Sequence, residues 1–224
     1  MNHHVADSIG TIGILGGTGE QGLGLAYRLA LAGEQVIIGS READRAQQAA
    51  ADLKRRDVIV DGLANHDVAT SADTVVVAVP YAGHRETLLA LRDRLAGKIV
   101  IDCVNPLGFD KRGPFGIVPQ DGSAAEEAAA ALPGSTVVGA FHHVSAKVLL
   151  AEGDLPRSDV LVVSDDAAAR KLVTALVDRV PGLRGVESGA LRLSRHIEHM
   201  TAVLISINKR HKSHSSFLVT DLDR

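Results

Sequence analysis

The sequence predicts an α/β protein: a Rossmann-type doubly wound parallel sheet with a small C-terminal helical lobe. Short, mainly apolar runs rich in Val and Ile recur along the first 180 residues, as strands buried on both faces do. Stretches with helical patterning separate these runs, which is how parallel strands joined by crossover helices read. After Pro181-Gly182 the pattern changes to one long helix with a broad apolar face. The expected organisation is a sheet domain over residues 10–180 and a lobe over 181–224, built from that helix and a terminal strand.

The first strand is expected at TIGIL (11–15), with a helix over 20–32. QVIIG (35–39) and VIVDG (58–62) follow as strands around a helix over 43–55. TVVVAV (74–79) and KIVIDC (98–103) flank a helix over 83–95. TVVGA (136–140) comes after a helix over 124–131, where a run of alanines favours the helix. VLVVS (160–164) precedes a helix over 167–179. Beyond 181, the helix over 190–209 carries Leu191, Leu193, Ile197, Met200, Val203, Leu204 and Ile207. That face is too apolar to lie alone in water, so it is expected to pack on the sheet domain and on a second subunit of a homodimer. SSFLVT (215–220) is expected as a last strand.

At 224 residues the chain has room for a sizeable core, and 46% hydrophobic with 23% charged residues is a globular balance. It has no Trp and few other aromatics, which argues against a stacking platform for nucleic acid; a net charge of −3 gives no pull toward nucleic acid or an anionic membrane. No run approaches the ~18 apolar residues of a membrane span, and MNHHVADSIG lacks the basic flank and apolar core of a signal peptide. Cys103 is the single cysteine, read as a packed core thiol. A soluble cytoplasmic protein is expected.

Between the first strand and the first helix, Gly17-Thr18-Gly19-Glu20-Gln21-Gly22 matches G-x-G-x-x-G. In that context Gly17 permits a tight turn, Gly19 lets the backbone approach a pyrophosphate, and Gly22 allows close helix–strand packing. Free amides at the helix N-terminus then face the phosphates. A glycine-rich turn without a ligand is the alternative.

The end of the second strand distinguishes the dinucleotide. NAD sites usually carry an acid there, whereas IIGSREADR has Gly39, then Ser40, Arg41 and Arg45. A hydroxyl and two guanidinium groups complement a 2′-phosphate, so the missing acid and the added base both favour NADP(H). The competing explanation is an N-cap serine followed by solvated arginines. Val79, Pro80 and Tyr81 after the fourth strand, and Val104 and Asn105 after the fifth, stand where ligands bind in such sheets, although strand-end turn formers look the same. His142-His143 and His196/His199 lack a completing Cys or carboxylate set, so no metal is expected.

GILGGTGEQGLGLAYRLALAGEQVIIGSREADRA strongly resembles the start of the F420-dependent NADP oxidoreductases, in which a hydride passes between NADP and the 5-deazaflavin coenzyme F420. Thr18 to Gln21, Ser40, Arg41 and Arg45 match the family's glycine loop, its GSR and the basic residue four positions on. VVGAFHHVSAKVL is similar to the family segment around a histidine beside the nicotinamide, and SGALRLSRHIEHMTAVLISI resembles its C-terminal helix. Where the family often follows its histidine with an apolar or Thr residue and Pro, this chain has His143, Val144 and Ser145.

The resemblance implies that Ala146 lies near the nicotinamide, that His142 contacts coenzyme F420 or the carboxamide unless it is a satisfied structural histidine, and that Ser194 and Arg195 lie on the deazaflavin side. The basic cluster Lys209, Arg210, His211, Lys212 and His214 would suit an acidic coenzyme tail, or simply complement the helix dipole. The segment PLGFDKRGPFGIVPQDGSAAE is read as a variable loop. Such a reaction needs two redox coenzymes held in register and no catalytic acid–base residue. Reduction of a flavin, ferric iron or a small imine, and NADP(H) sensing without turnover, are the competing readings.

Overall fold

The structure, a computed structural model, describes residues 9–222. Residues 1–8, most of the stretch read above for a targeting signal, lie outside the described residues. From β1 (Ile12–Leu15) the chain passes through α1 (Glu20–Leu31) to β2 (Val36–Ser40), through α2 (Ala43–Lys54) to β3 (Asp61–Ala64), and through α3 (Asn65–Ser71) to β4 (Thr74–Val77). A 3-10 turn at Tyr81–Gly83 opens α4 (His84–Leu95), which leads to β5 (Ile99–Asp102). A hairpin of β6 (Leu107–Asp110) and β7 (Gly113–Gly116), then α5 (Ala124–Ala131), leads to β8 (Thr136–Gly139). There follow α6 (Ala146–Leu150), β9 (Ser158–Val162), α7 (Ala167–Asp178) and β10 (Leu183–Glu187). A 3-10 turn at Leu191–Leu193 then opens α8 (Ser194–His211).

Six strands form one parallel sheet in the order β3-β2-β1-β4-β5-β8, an α/β Rossmann-like arrangement. Ile12 lies opposite Val36 on one side and Thr74 on the other. Every residue of β1, β4 and β5 is buried because helices cover both faces. The alternation of the strand sends Ile12 and Ile14 into one core and Leu15 into the other. Strand order reverses between β1 and β4, and the crevice at their carboxyl ends is where ligands bind in this architecture.

The sequence-based boundaries need several corrections. The strand expected at 58–62 starts at Asp61, because the chain turns at Asp57 (φ 59°) and Val58 is drawn into the core while Ile59 faces solvent. The strand expected at 160–164 is β9, which does not join the main sheet in parallel. It pairs with β10, absent from the expectation, and meets β8 only through an antiparallel bridge between Gly139 and Val163. The chain turns back after β8 at Phe141, whose φ is 63°, and the short α6 packs on α1. The expected helix over 190–209 is split into the 3-10 turn and α8.

The expected strand at 215–220 is not one. Asp159 N–H donates to Phe217 O, but the Asp159 carboxylate takes the Val219 amide and Arg184 takes the Val219 carbonyl, so no backbone ladder forms. The stretch read as a variable loop contains the β6–β7 hairpin. Because β9 and β10 pair across residue 181, the lobe beyond that point shares a small sheet with the segment before it.

Candidate functional site

The glycine loop leaves β1 and enters α1, whose first turn has no side-chain cap. Its amides are therefore available to a ligand. The glycines have different reasons to be glycine. A Cβ at Gly22 would lie 2.6 Å from Gly16 O and 2.7 Å from Gly17 Cα, so this position is set by backbone packing. At Gly19 a Cβ meets nothing closer than Gly16 O at 3.4 Å, and the residue is exposed. The protein itself leaves room there, which is what a cradle for a closely approaching phosphate needs.

Ser40 ends β2 and is buried, while Arg41 and Arg45 stand exposed at the start of α2. Among the described residues neither guanidinium has an ion-pair or hydrogen-bond partner. Gly39 has no room for a side chain, since a Cβ would lie 2.6 Å from Asn65 Oδ1 and 2.8 Å from Ile14 O. The acid typical of NAD sites is thus excluded at that position by packing.

Two clefts meet beyond the strand ends. The smaller, about 220 Å³, is walled by Val79, Pro80 and Tyr81 after β4 and by Cys103, Val104 and Asn105 after β5. The larger, about 700 Å³, lies between α1, the 142–147 segment and α8, with Glu20 and Ala146 in its wall. Gln21 and Asn105 line both. Gln21 Nε2 donates to Phe141 O at 3.4 Å, and Asn105 Nδ2 donates to His142 O at 2.7 Å. The Thr201 hydroxyl stands 3.2 Å from that carbonyl and 3.3 Å from Asn105 Oδ1. The junction is therefore braced through backbone carbonyls of residues 141 and 142, next to the left-handed Phe141. A bulky residue held at positive φ costs energy, and such strain often accompanies a functional site.

Of the three residues expected on the acceptor side, His142 lines the larger cleft and Ser194 and Arg195 line neither. The His142 ring is fully buried, with Nε2 3.8 Å from Glu198 Oε1 and no hydrogen-bond partner for either nitrogen among the described residues. Burial pushes its pKa down to about 4, with the adjacent His143 lowering it further and Asp102 opposing. The ring keeps one N–H when neutral, but it is fully buried, and the part of His142 engaged at the junction is its carbonyl. Ser194 is buried with no partner for Oγ among the described residues, and Arg195 pairs with Glu126 at 2.6 Å. Neither lines either cleft.

The first turns of α8 face α5, where Glu198 accepts the Ala124 and Ala125 amides at 2.8 and 3.1 Å. Burial pushes the Glu198 carboxyl up to about 7 despite those amides. One turn later the same helix presents Thr201, Leu204, Ile205 and Asn208 to the larger cleft. The sequence carried a signal for them: Thr201 and Asn208, seven apart, interrupt an otherwise apolar helix face. Of the basic cluster, Lys209, Lys212 and His214 reach the rim of this cleft, joined by Lys147 from α6.

The remaining candidates are structural. Cys103 is buried, its Sγ 3.1 Å from Val77 O, and burial pushes its thiol pKa far up. His143 bonds Asp159 O at 2.7 Å and His199 bonds Ile117 O at 2.9 Å. Among the described residues no group of three His, Cys, Asp or Glu is placed to hold a metal ion.

Residues 11–106 match the family model described as NADP oxidoreductase, coenzyme F420-dependent. The F420-dependent NADP reductase of Methanothermobacter thermautotrophicus is 41% identical over 209 residues, covering 90% of this chain and 90% of the relative. That of Methanocaldococcus jannaschii is 39% identical over 222 residues, covering 95% and 99%. A crystal structure from Arthrobacter sp., provisionally named an F420-dependent NADP reductase, superimposes with a TM-score of 0.81 at 26% identity over 94% of this chain and 99% of that one. The chain belongs to the family of coenzyme F420-dependent NADP oxidoreductases.

Proposed function

We infer that the protein transfers a hydride between NADP(H) and coenzyme F420. The observation that carries this reading is the pair of clefts sharing Gln21 and Asn105, one continuous with the glycine loop and the other large enough for a second ring system. The nicotinamide and the deazaflavin supply the redox chemistry when both are bound. The protein supplies register. The glycine loop and Ser40, Arg41 and Arg45 hold the phosphates, the loops after β4 and β5 form the nicotinamide side, Ala146 lies near the nicotinamide from the wall of the larger cleft, and Thr201 and Asn208 form the deazaflavin side. Lys147, Lys209, Lys212 and His214 suit the acidic coenzyme tail. Mixing protein, NADPH and coenzyme F420 should bleach the deazaflavin absorbance; turnover with FMN or ferric chelates but none with F420 would overturn the assignment.

The glycine loop can be tested separately from the fold. Gly19→Ala should leave the melting temperature within about 2 °C of the parent yet weaken NADPH binding at least ~10-fold, because only the ligand needs that space. Gly22→Ala should instead cost about 1–3 kcal/mol of stability, since its Cβ strikes backbone. Thermal melts and a fluorescence titration check both; equal melting losses in the two variants would contradict the distinction.

For the organisation of the chain, we propose a coenzyme module over 10–180 and a lobe over 181–224 whose helix closes the acceptor cleft. We also propose a homodimer. Leu193 of the 3-10 turn and Met200, Val203 and Ile207 of α8 are exposed, as are Phe109 and Phe115 of the hairpin that packs on α8. Exposed apolar area of this kind marks an interface between copies. Val203→Asp should convert dimer to monomer in sedimentation velocity, and a parent that sediments as a monomer would refute the proposal. Among the described residues no helix is long and apolar enough to cross a membrane. The buried lone thiol fits the reducing cytoplasm that we propose as the compartment.

A further inference from the structure

His84 opens α4 three residues after Tyr81, and its ring is fully buried. Both ring nitrogens are engaged by acids: Nε2 lies 2.6 Å from Asp102 Oδ2 and Nδ1 lies 2.8 Å from Glu127 Oε1. The other Asp102 oxygen accepts the Val104 amide at 3.0 Å, at the point where β5 turns into the wall of the smaller cleft. One residue further, Asn105 braces the junction of the two clefts. His84 therefore connects, through its backbone, the wall that follows β4 and, through Asp102, the wall that follows β5.

We propose that His84 is a positioning residue for hydride transfer, tying together the two walls of the nicotinamide-side cleft so that Asn105 keeps the rings in register. This rests on the hydride-transfer reading above. A buried ionic cluster is no strong argument for stability, because a well-packed apolar group often does as well. What such a cluster fixes is geometry, and this one ends on the loop that faces the ligand. With both acids present as carboxylates, the two contacts have the ring donate twice, as the imidazolium; a neutral ring would then set a lone pair against one of them.

Burial alone would lower the pKa of His84, but the charges and hydrogen bonds of Asp102 and Glu127 raise it to about 9. The other titratable and charged groups facing this cluster are Glu198 from α8, Arg85, which pairs with Asp121 and stands 4.0 Å from Glu127, the Tyr81 ring 6.3 Å from that of His84, whose phenol burial holds above its ordinary value, and the buried His142 and Cys103, both in the field of Asp102. The double grip is thus complete below that pH and is released as pH rises through it.

The test is the single-turnover rate of F420 reduction by NADPH in stopped flow. His84→Gln should lower that rate roughly 10- to 100-fold, the scale of a misplaced reacting pair, while NADPH affinity stays within about threefold because the glycine loop and arginines are untouched. In the parent the rate should fall as pH rises through about 9, and Glu127→Gln, by removing one negative neighbour, should move that fall to lower pH. A folded His84→Gln variant at full rate, or a fall that Glu127→Gln leaves in place, would overturn the proposal. If His84→Gln does not fold, the parent and Glu127→Gln profiles still decide it. A parent that reduces no F420 at any pH would instead sink the functional reading beneath it.

Discussion

Replacing Arg41 and Arg45 together with alanine raises KM for NADPH roughly 100-fold and leaves that for NADH nearly unchanged, because two charge-assisted hydrogen bonds to the 2′-phosphate are lost. Both side chains stand at the end of β2 with no internal partner among the described residues, so removing them frees no buried acid and disturbs no packing. The screened, exposed setting makes the effect depend on salt, and the preference for NADPH over NADH narrows as ionic strength rises. Steady-state kinetics with both dinucleotides measures it; equal losses for the two would refute the 2′-phosphate assignment.

Thr201→Phe acts on the other side of the junction. Thr201 contacts the carbonyl and the amide that brace the two clefts, and a phenyl ring there projects into the larger one. The expected result is a fall of about 100-fold or more in kcat/KM for F420, with the dissociation constant of NADPH changed by less than about threefold. Parallel losses in both quantities would mean that the two coenzymes do not occupy separate clefts.

The parts of the molecule that sequence reading reaches are those set by local chemistry. IGIL, TVVV and IVID are almost wholly apolar because both faces are covered, Thr74 and Asp102 being the polar exceptions, and that shows in composition alone. Gly17 to Gly22 and the Ser40-Arg41-Arg45 cluster are legible for the same reason, lying on consecutive turns of one βαβ unit. Membership of β9 is not legible: its run reads alike whether it pairs with β8 or β10, and the choice depends on the reversal at Phe141.

The direction of the His142 ring is equally non-local. Its inward pose is set against Glu198 of α8 and by that same unusual backbone turn. His142 lines the larger cleft while its ring is buried. The His84–Asp102–Glu127 cluster escapes sequence reading for a third reason. Its members come from α4, β5 and α5, form no motif, and meet only once the sheet is assembled. Thr201 and Asn208 were within reach, as polar breaks in an apolar helix face, but only if that face was not assumed to be wholly buried.

The central claim is direct passage of a hydride across the junction at Gln21 and Asn105. Its most direct test is single-turnover reduction of F420 with NADPH deuterated on the transferring face of C4, with the reduced deazaflavin analysed by mass spectrometry. One deuterium is expected in the deazaflavin ring and none lost to water. Label released to solvent, or NADPH consumed only when FMN or a ferric chelate replaces F420, would contradict it.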